Sequence, residues 1–136
     1  MKIVLDEKAL MPERAHETDA GLDLKSPESF LLPAGGSYKV DTGVHIELPH
    51  GTVGMLKSKS GLNVKCGILS EGVIDEGYTG SIVAKLYNHS CNPCFINRGD
   101  KITQLVILPV IIPEIEVVEQ LEVKGRGNNG FGSSGR

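Results

Sequence analysis

A chain of 136 residues with 40% hydrophobic and 23% charged residues carries enough apolar material for one buried core and too much for a charge-dominated disordered chain. Its seventeen glycines keep no collagen period, its longest apolar run (Leu105–Pro113) is about half of the ~18 residues a membrane span needs, and the opening MKIVLDEKAL interleaves charge where a signal peptide needs an apolar stretch. A net charge of −3 gives no general attraction to nucleic acid or an anionic membrane, so the expectation is a soluble, single-domain cytoplasmic protein.

Taken in chain order, strand-like runs fall at Ile3–Leu5, Phe30–Leu32, Tyr38–Val40, Val44–Leu48, Val53–Leu56, Ile82–Tyr87, Ile102–Leu108 and Ile115–Val118. Several alternate apolar with polar residues, as in Val44-His45-Ile46-Glu47-Leu48. Turn chemistry separates them at Pro33-Ala34-Gly35-Gly36, Pro49-His50-Gly51, Glu76-Gly77 and Asn97-Arg98-Gly99-Asp100. A short turn of helix is expected around Ser60–Lys65, with a weaker helical alternative at Glu114–Val123. Short strands at regular spacing imply an all-β sandwich, jelly roll or small barrel. Its exposed edges would be covered by oligomerisation. The boundaries are one domain over 1–136, with a β-core to about residue 123 and a Gly-rich arm over about 124–136.

Three cysteines make a disulfide framework unexpected. Cys91-Asn92-Pro93-Cys94 with His89 upstream has the spacing of half a zinc site, but no second ligand pair accompanies it. Reduced, loop-borne cysteines are the simpler reading.

Two apparent motifs fail on context. Gly125-Arg126-Gly127-Asn128-Asn129-Gly130 matches GxGxxG by letter, but that fingerprint needs a strand before it and a helix after it. Arg98-Gly99-Asp100 reads as a tight turn before a strand. Three other segments carry chemistry. In the arm, Lys124, Arg126 and Arg136 are opposed by no acid. Arg126 offers a fork for phosphate oxygens, Phe131 a ring for stacking a base, and Gly132-Ser133-Ser134-Gly135 amide and hydroxyl donors. Together these describe a lid over a nucleotide; the plain alternative is a disordered terminus. Asp75, after the apolar pair Val73-Ile74, could orient a water as general base or merely cap a turn. Lys57-Ser58-Lys59-Ser60-Gly61 could hold phosphates or be a solvated basic loop.

The order of five segments is more informative than any one of them. They are Ala20-Gly21-Leu22-Asp23-Leu24; Pro49-x-Gly51-x-x-Gly54 running to Ser58-Lys59-Ser60-Gly61; Gly72-Val73-Ile74-Asp75-x-x-Tyr78-x-Gly80; Gly99-Asp100-Lys101-Ile102-Thr103-Gln104 with Pro109; and Arg126-Gly127-x-x-Gly130-Phe131-Gly132-Ser133-Ser134-Gly135. In order and spacing the chain closely resembles the trimeric dUTP pyrophosphatases (dUTPases) over nearly its whole length.

That resemblance implies a distorted jelly-roll domain forming a homotrimer, with sites at subunit interfaces and the C-terminal arm closing over them. The implied reaction is Mg²⁺-dependent hydrolysis of dUTP to dUMP and pyrophosphate, which limits uracil in DNA and supplies dUMP. By motif match Asp75 activates the water that attacks the α-phosphorus, and Tyr78 packs on the deoxyribose. A hairpin between Gly67 and Asp75, including Gly72 and Ile74, reads uracil through backbone groups. Ser60, Gly61 and Gln104 bind phosphates with Lys59 nearby. Arg126, Gly132, Ser133 and Ser134 hold the γ-phosphate end, and Phe131 stacks on uracil. Asp23 acts through waters of a metal held mainly by the triphosphate. Lys59 and Lys101 stand where the family commonly has Arg, which turns a bidentate contact into a point charge; Thr103 replaces a frequent Ala and Ser134 a frequent Thr. Two other readings compete: a dCTP deaminase or bifunctional deaminase–pyrophosphatase of the same fold, and a dUTPase-fold protein with an added regulatory binding role.

Overall fold

Strands form where alternating residues can bury one face. In the computed structural model, which describes residues 1–125, those residues form ten strands and one short helix. In order they are β1 Lys2–Leu5, β2 Gly21–Lys25, β3 Phe30–Leu32, β4 Ser37–Asp41, β5 Val44–Glu47, β6 Thr52–Ser58, α1 Ser60–Cys66, β7 Ile68–Ile74, β8 Val83–Asn88, β9 Cys94–Ile96 and β10 Lys101–Pro109. All pairings are antiparallel. A six-stranded sheet runs β2-β10-β6-β7-β8-β4, and two ribbons, β1–β5 and β3–β9, accompany it. This curled sheet with its ribbons is the expected all-β jelly roll.

Two apolar clusters fill it. One joins Leu22, Leu24, Val44, Ile46, Leu48, Leu56, Ile74, Ile82 and Leu105, so the β1–β5 ribbon packs over β2, β6 and β10. The other joins Phe30, Leu32, Val40, Ile68, Ala84, Leu86, Ile96 and Ile102, beneath the β3–β9 ribbon. The Phe30 and Tyr38 rings stack with centroids 3.9 Å apart. Each fully buried Leu or Ile contributes about 1.5–3 kcal/mol, and the clusters fix which face of each strand turns inward.

Three strands lie where sequence periodicity gives no strand. In β2 four of five residues are buried, Asp23 among them, so polar-out alternation is absent. Strand β7 replaces the expected hairpin between Gly67 and Asp75; it is held to β6 by Ser58, whose hydroxyl accepts the Ser70 N–H (2.9 Å) and donates to the Ser70 carbonyl (3.2 Å). Strand β9 has only three residues and begins at Cys94, which therefore sits on a strand end, its thiol pushed up by burial and the neighbouring Cys66. Conversely, Ile115–Val118 forms no strand and Glu114–Val123 no helix. Ile111, Ile112, Ile115, Val117, Leu121 and Val123 are all more than four-fifths exposed. A strand needs a partner ladder, and this chain supplies none there.

Candidate active site

One group of sequence-predicted residues assembles around Asp23. It lies on β2 directly opposite Gln104 of β10, and Gln104 faces Lys57 of β6 on its other side. The Gln104 side-chain amide donates to the Ser58 carbonyl at 3.0 Å. That places Gln104 beside Ser60 and Gly61, which open α1 with exposed side-chain and backbone donors. Gly21 makes room for Gln104, since a Cβ there would collide with Gln104 Oε1.

Asp23 is 2% exposed, and a buried carboxylate requires partners. Lys59 reaches it at 2.5 Å and Lys101 at 3.2 Å. Lys101 also contacts Glu13 at 3.2 Å, and Glu13 pairs with Lys25 at 2.9 Å. Asp23 and Glu13 thereby raise the Lys101 ammonium above its ordinary range, and Lys25 and Lys101 lower the Glu13 carboxyl. Lys59 and Lys101 thus converge on one carboxylate. Two point charges together supply a pairing that a single guanidinium fork could make. Thr103 is equally accounted for: its buried hydroxyl donates to the Lys57 carbonyl at 3.0 Å.

Strand regularity alone would not bring Lys101 here. Residues three apart on a strand point to opposite faces, so Lys101 and Gln104 should be separated. The β10–β2 register shifts between Lys101 and Thr103. This bulge places Lys101 opposite Lys25 while Gln104 stays opposite Asp23, and the four side chains share one face.

The second group surrounds Asp75. Strand β7 ends at Ile74, whose side chain is in the core, so only its backbone is free to meet a ligand. Gly72 lies opposite Leu56. Strand β8 pairs with β7 only from Ile68 to Ser70, so residues 71–74 keep one backbone edge without a strand partner from β8. Asp75 is exposed at the start of a turn, its carbonyl accepting the Tyr78 N–H at 3.1 Å. The Tyr78 ring folds back over Gly80, where a Cβ would meet its hydroxyl at 2.5 Å, and that hydroxyl donates to the Ser81 carbonyl at 3.0 Å. Glu76 anchors the turn by accepting from the His50 ring (2.7 Å) and the Gly51 N–H (2.8 Å), and these donors lower its carboxyl.

The two groups do not meet within one chain. Gly54 of β6 pairs with Ile74, whereas Ser58, next to Lys59 and Ser60, pairs with Thr103 at the other end of β6. The Gly54–Ile74 and Ser58–Thr103 pairs are therefore about 13 Å apart along β6, four residues at ~3.3 Å each. The predicted arm residues Arg126, Phe131, Gly132, Ser133 and Ser134 lie outside the described residues.

No cluster of three or more His, Cys, Asp or Glu among the described residues could enclose a metal, and Asp23 already faces two ammonium groups. These residues fit a hard cation that arrives with substrate phosphates and meets one carboxylate through water, which is how Mg²⁺ is usually held. They do not form a protein cage for a resident ion. Cys66, Cys91 and Cys94 are free thiols. No helix among the described residues is long and apolar enough to cross a membrane.

Sequence motifs identify Asp23, Lys59, Ser60, Gln104, Asp75 and Tyr78 but give no sign of Glu13 or of the His50–Glu76 tie. Glu13 belongs to no strand and reaches the site through an isolated bridge to Asp23. The only available signal for Lys25 is its i, i+2 spacing from Asp23.

Comparison with known proteins agrees with this geometry. The dUTPase family model matches residues 7–135. The chain is 45% identical to the deoxyuridine 5'-triphosphate nucleotidohydrolase of Crocosphaera subtropica, with 98% of this chain and 96% of that protein covered. It is 42% identical to the enzyme of the same name from Paramecium bursaria Chlorella virus 1, with 96% and 94% covered. The structure superposes with a TM-score of 0.92 on the Staphylococcus bacteriophage 80alpha dUTPase solved with dUpNHpp, at 33% identity and with 99% and 98% of the two chains covered. It superposes at 0.81, also at 33% identity and with 89% and 97% covered, on a mutant dUTPase from phage phi11 of S. aureus, described as revealing the coordination of a structural Mg(II) ion. With its five motifs in order, two site halves built from them, and a family match spanning nearly every residue, the chain belongs to the dUTPase family.

Proposed function

We propose that this protein hydrolyses dUTP to dUMP and pyrophosphate at sites shared between the chains of a homotrimer. The observation that carries this reading is the separation of the two site halves along β6 and β7. A general base must lie within about 3 Å of the proton it takes, directly or through one water. Asp75 of one chain is too far from Ser60 and Gln104 of the same chain for both to serve one triphosphate. A cyclic oligomer solves this by setting the Asp75 end of one protomer against the phosphate-binding end of the next. The exposed apolar residues between Ile111 and Val123 support the same assembly, since an adjacent chain would cover them.

In the composite site the free backbone edge of β7 at Gly72 and Ile74 receives the uracil, and Tyr78 packs against the deoxyribose where a 2′-hydroxyl would stand. The Asp75 carboxylate accepts a proton from the water whose oxygen bonds to the α-phosphorus; the α,β-bridging oxygen leaves with pyrophosphate. Ser60, the Gly61 N–H and the Gln104 side chain of the neighbouring chain bind phosphate oxygens, with Lys59 beside them. Mg²⁺ arriving with the triphosphate would supply positive charge to its oxygens. Asp23 would face the metal's waters, its carboxylate held in place by Lys59 and Lys101. The arm residues Arg126, Phe131, Gly132, Ser133 and Ser134 complete the enclosure by motif match, and closure coupled to binding favours the correct nucleotide.

The test is a nucleotide panel with pyrophosphate and ammonia both measured. The expected result is pyrophosphate from dUTP far faster than from dCTP or dTTP, and no ammonia. Equal turnover of all three overturns the reading, and ammonia from dCTP assigns a deaminase instead. Asp75→Asn should lose turnover and still bind dUpNHpp; unchanged turnover removes Asp75 from the role of base.

A further inference from the structure

The turn bearing Asp75 and Tyr78 is tied down at three places, by Glu76, Thr79 and Ser81. Glu76 is fixed by His50 and Gly51, as described above. The Ser81 hydroxyl donates to Asp41, at the end of β4. Between them, the His45 ring on β5 donates from Nδ1 to the Thr79 carbonyl at 2.8 Å, and its Nε2 lies 3.3 Å from the Asp6 carboxylate. His45 therefore has both ring nitrogens engaged, one by the carbonyl of the residue after Tyr78 and the other by Asp6.

We propose that His45 is a positioning residue for the Asp75–Gly80 turn: bridging Asp6 and the Thr79 carbonyl, it holds Tyr78 against the deoxyribose and makes sugar selectivity depend on pH. This inference rests on the proposed role of Tyr78. Its chemistry follows from the two nitrogens. A neutral imidazole donates from one nitrogen only, so either Thr79 or Asp6 loses its bond; the imidazolium donates to both.

The surroundings favour the cation. Asp6 faces the ring from the segment after β1. The Asp41 carboxylate approaches from the β4–β5 turn, where it also accepts the Gly43 N–H at 3.1 Å. Lys2 and Glu47 line the same cleft but pair with each other at 2.8 Å. The Thr79 carbonyl and then the Asp6 carboxylate hold the His45 imidazole above its ordinary range against the opposing effect of burial. A value raised in the folded state makes the tie complete below about pH 6.5, the usual histidine value. One of its two bonds is lost as pH rises through the folded value.

The experiment compares kcat/KM for dUTP and UTP from pH 5.5 to 9, alongside an NMR titration of the His45 ring. In the wild type the dUTP preference should fall as pH passes the His45 midpoint, which should lie above about 6.5 and drop in Asp6→Asn. His45→Asn keeps an amide donor near Nδ1 but cannot bridge to Asp6 or titrate, so its preference should stay near the wild type's high-pH level across the whole range, with a flat profile. His45→Ala should lose about three- to tenfold in preference, the range for one hydrogen bond, mainly through KM. An unchanged profile in His45→Asn, or a His45 midpoint at or below about 6.5, overturns the proposal. A wild type with no preference for dUTP over UTP refutes the role of Tyr78 instead, and the ring titration in Asp6→Asn still decides whether the Asp6–His45–Thr79 bridge exists.

Discussion

Gly21 matters through an atom it lacks. Gln104 Oε1 occupies the position that any side chain there would take, and Gln104 is fixed on its other side by the Ser58 carbonyl. Gly21→Ala therefore has to displace the Gln104 side-chain amide, on which the proposed phosphate contact depends. The expected loss in kcat/KM is about tenfold to a hundredfold, typical of misplacing one binding group by an ångström or so. Steady-state kinetics with dUTP checks this, and circular dichroism should show an intact sheet. Residues of this kind are legible in sequence only as motif letters: Gly21 can be marked as significant, but its obstruction by Gln104 belongs to a pairing between strands far apart in the chain. Asp75 and Tyr78 are marked in sequence only by motif match, since an Asp at this turn reads equally as a cap. The Asp23 network is not legible, because Glu13, Lys25, Lys59 and Lys101 come from four separate stretches and meet only through the ladder and the bulge of β10.

At the scale of elements, β10 joins the core to the site. It pairs with β2 on one side and β6 on the other, packs Leu105 into the core, and uses a bulge to turn Lys101 toward Asp23. Leu105 is 1% exposed and lies against Gly54, where little can collapse into a vacancy. Leu105→Ala should cost about 2–5 kcal/mol. Denaturant unfolding at matched protein concentration reads this, the matching being essential where subunit association contributes to stability. The strands with clean alternation, such as β5, could be located from sequence to within a residue. Those without it could not: β2 is buried on both faces, and β7 carries Gly72 in place of an apolar side chain. Ile115–Val118 has good strand propensity and remains unpaired, since propensity cannot provide a partner.

The proposed assembly makes a prediction that no single-chain site shares. Asp75→Asn and Gln104→Ala protomers, each inactive alone, are mixed in equal amounts, unfolded and refolded together. If the base and the phosphate donors of each site come from different chains, statistical mixing leaves about a quarter of the sites with both groups intact, and activity returns in that proportion. A mixture that stays inactive while mass spectrometry shows hybrid trimers would refute the shared site.

In the proposed assembly, the segment after β10 also bears on a chain that has not yet met its partners. Ile111, Ile112, Ile115, Val117, Leu121 and Val123 form an apolar, β-prone stretch lying open to water, the kind of sequence that nucleates aggregates. It is interrupted by Pro113 and by Glu114, Glu116, Glu119 and Glu122, with no basic residue among them. Two such stretches brought together in register would stack like charges and lack the hydrogen bond that proline cannot donate. The same acidic side chains that blur its reading as a strand or a helix act as gatekeepers, which in the proposed assembly would keep a monomer soluble until a neighbour covers the stretch.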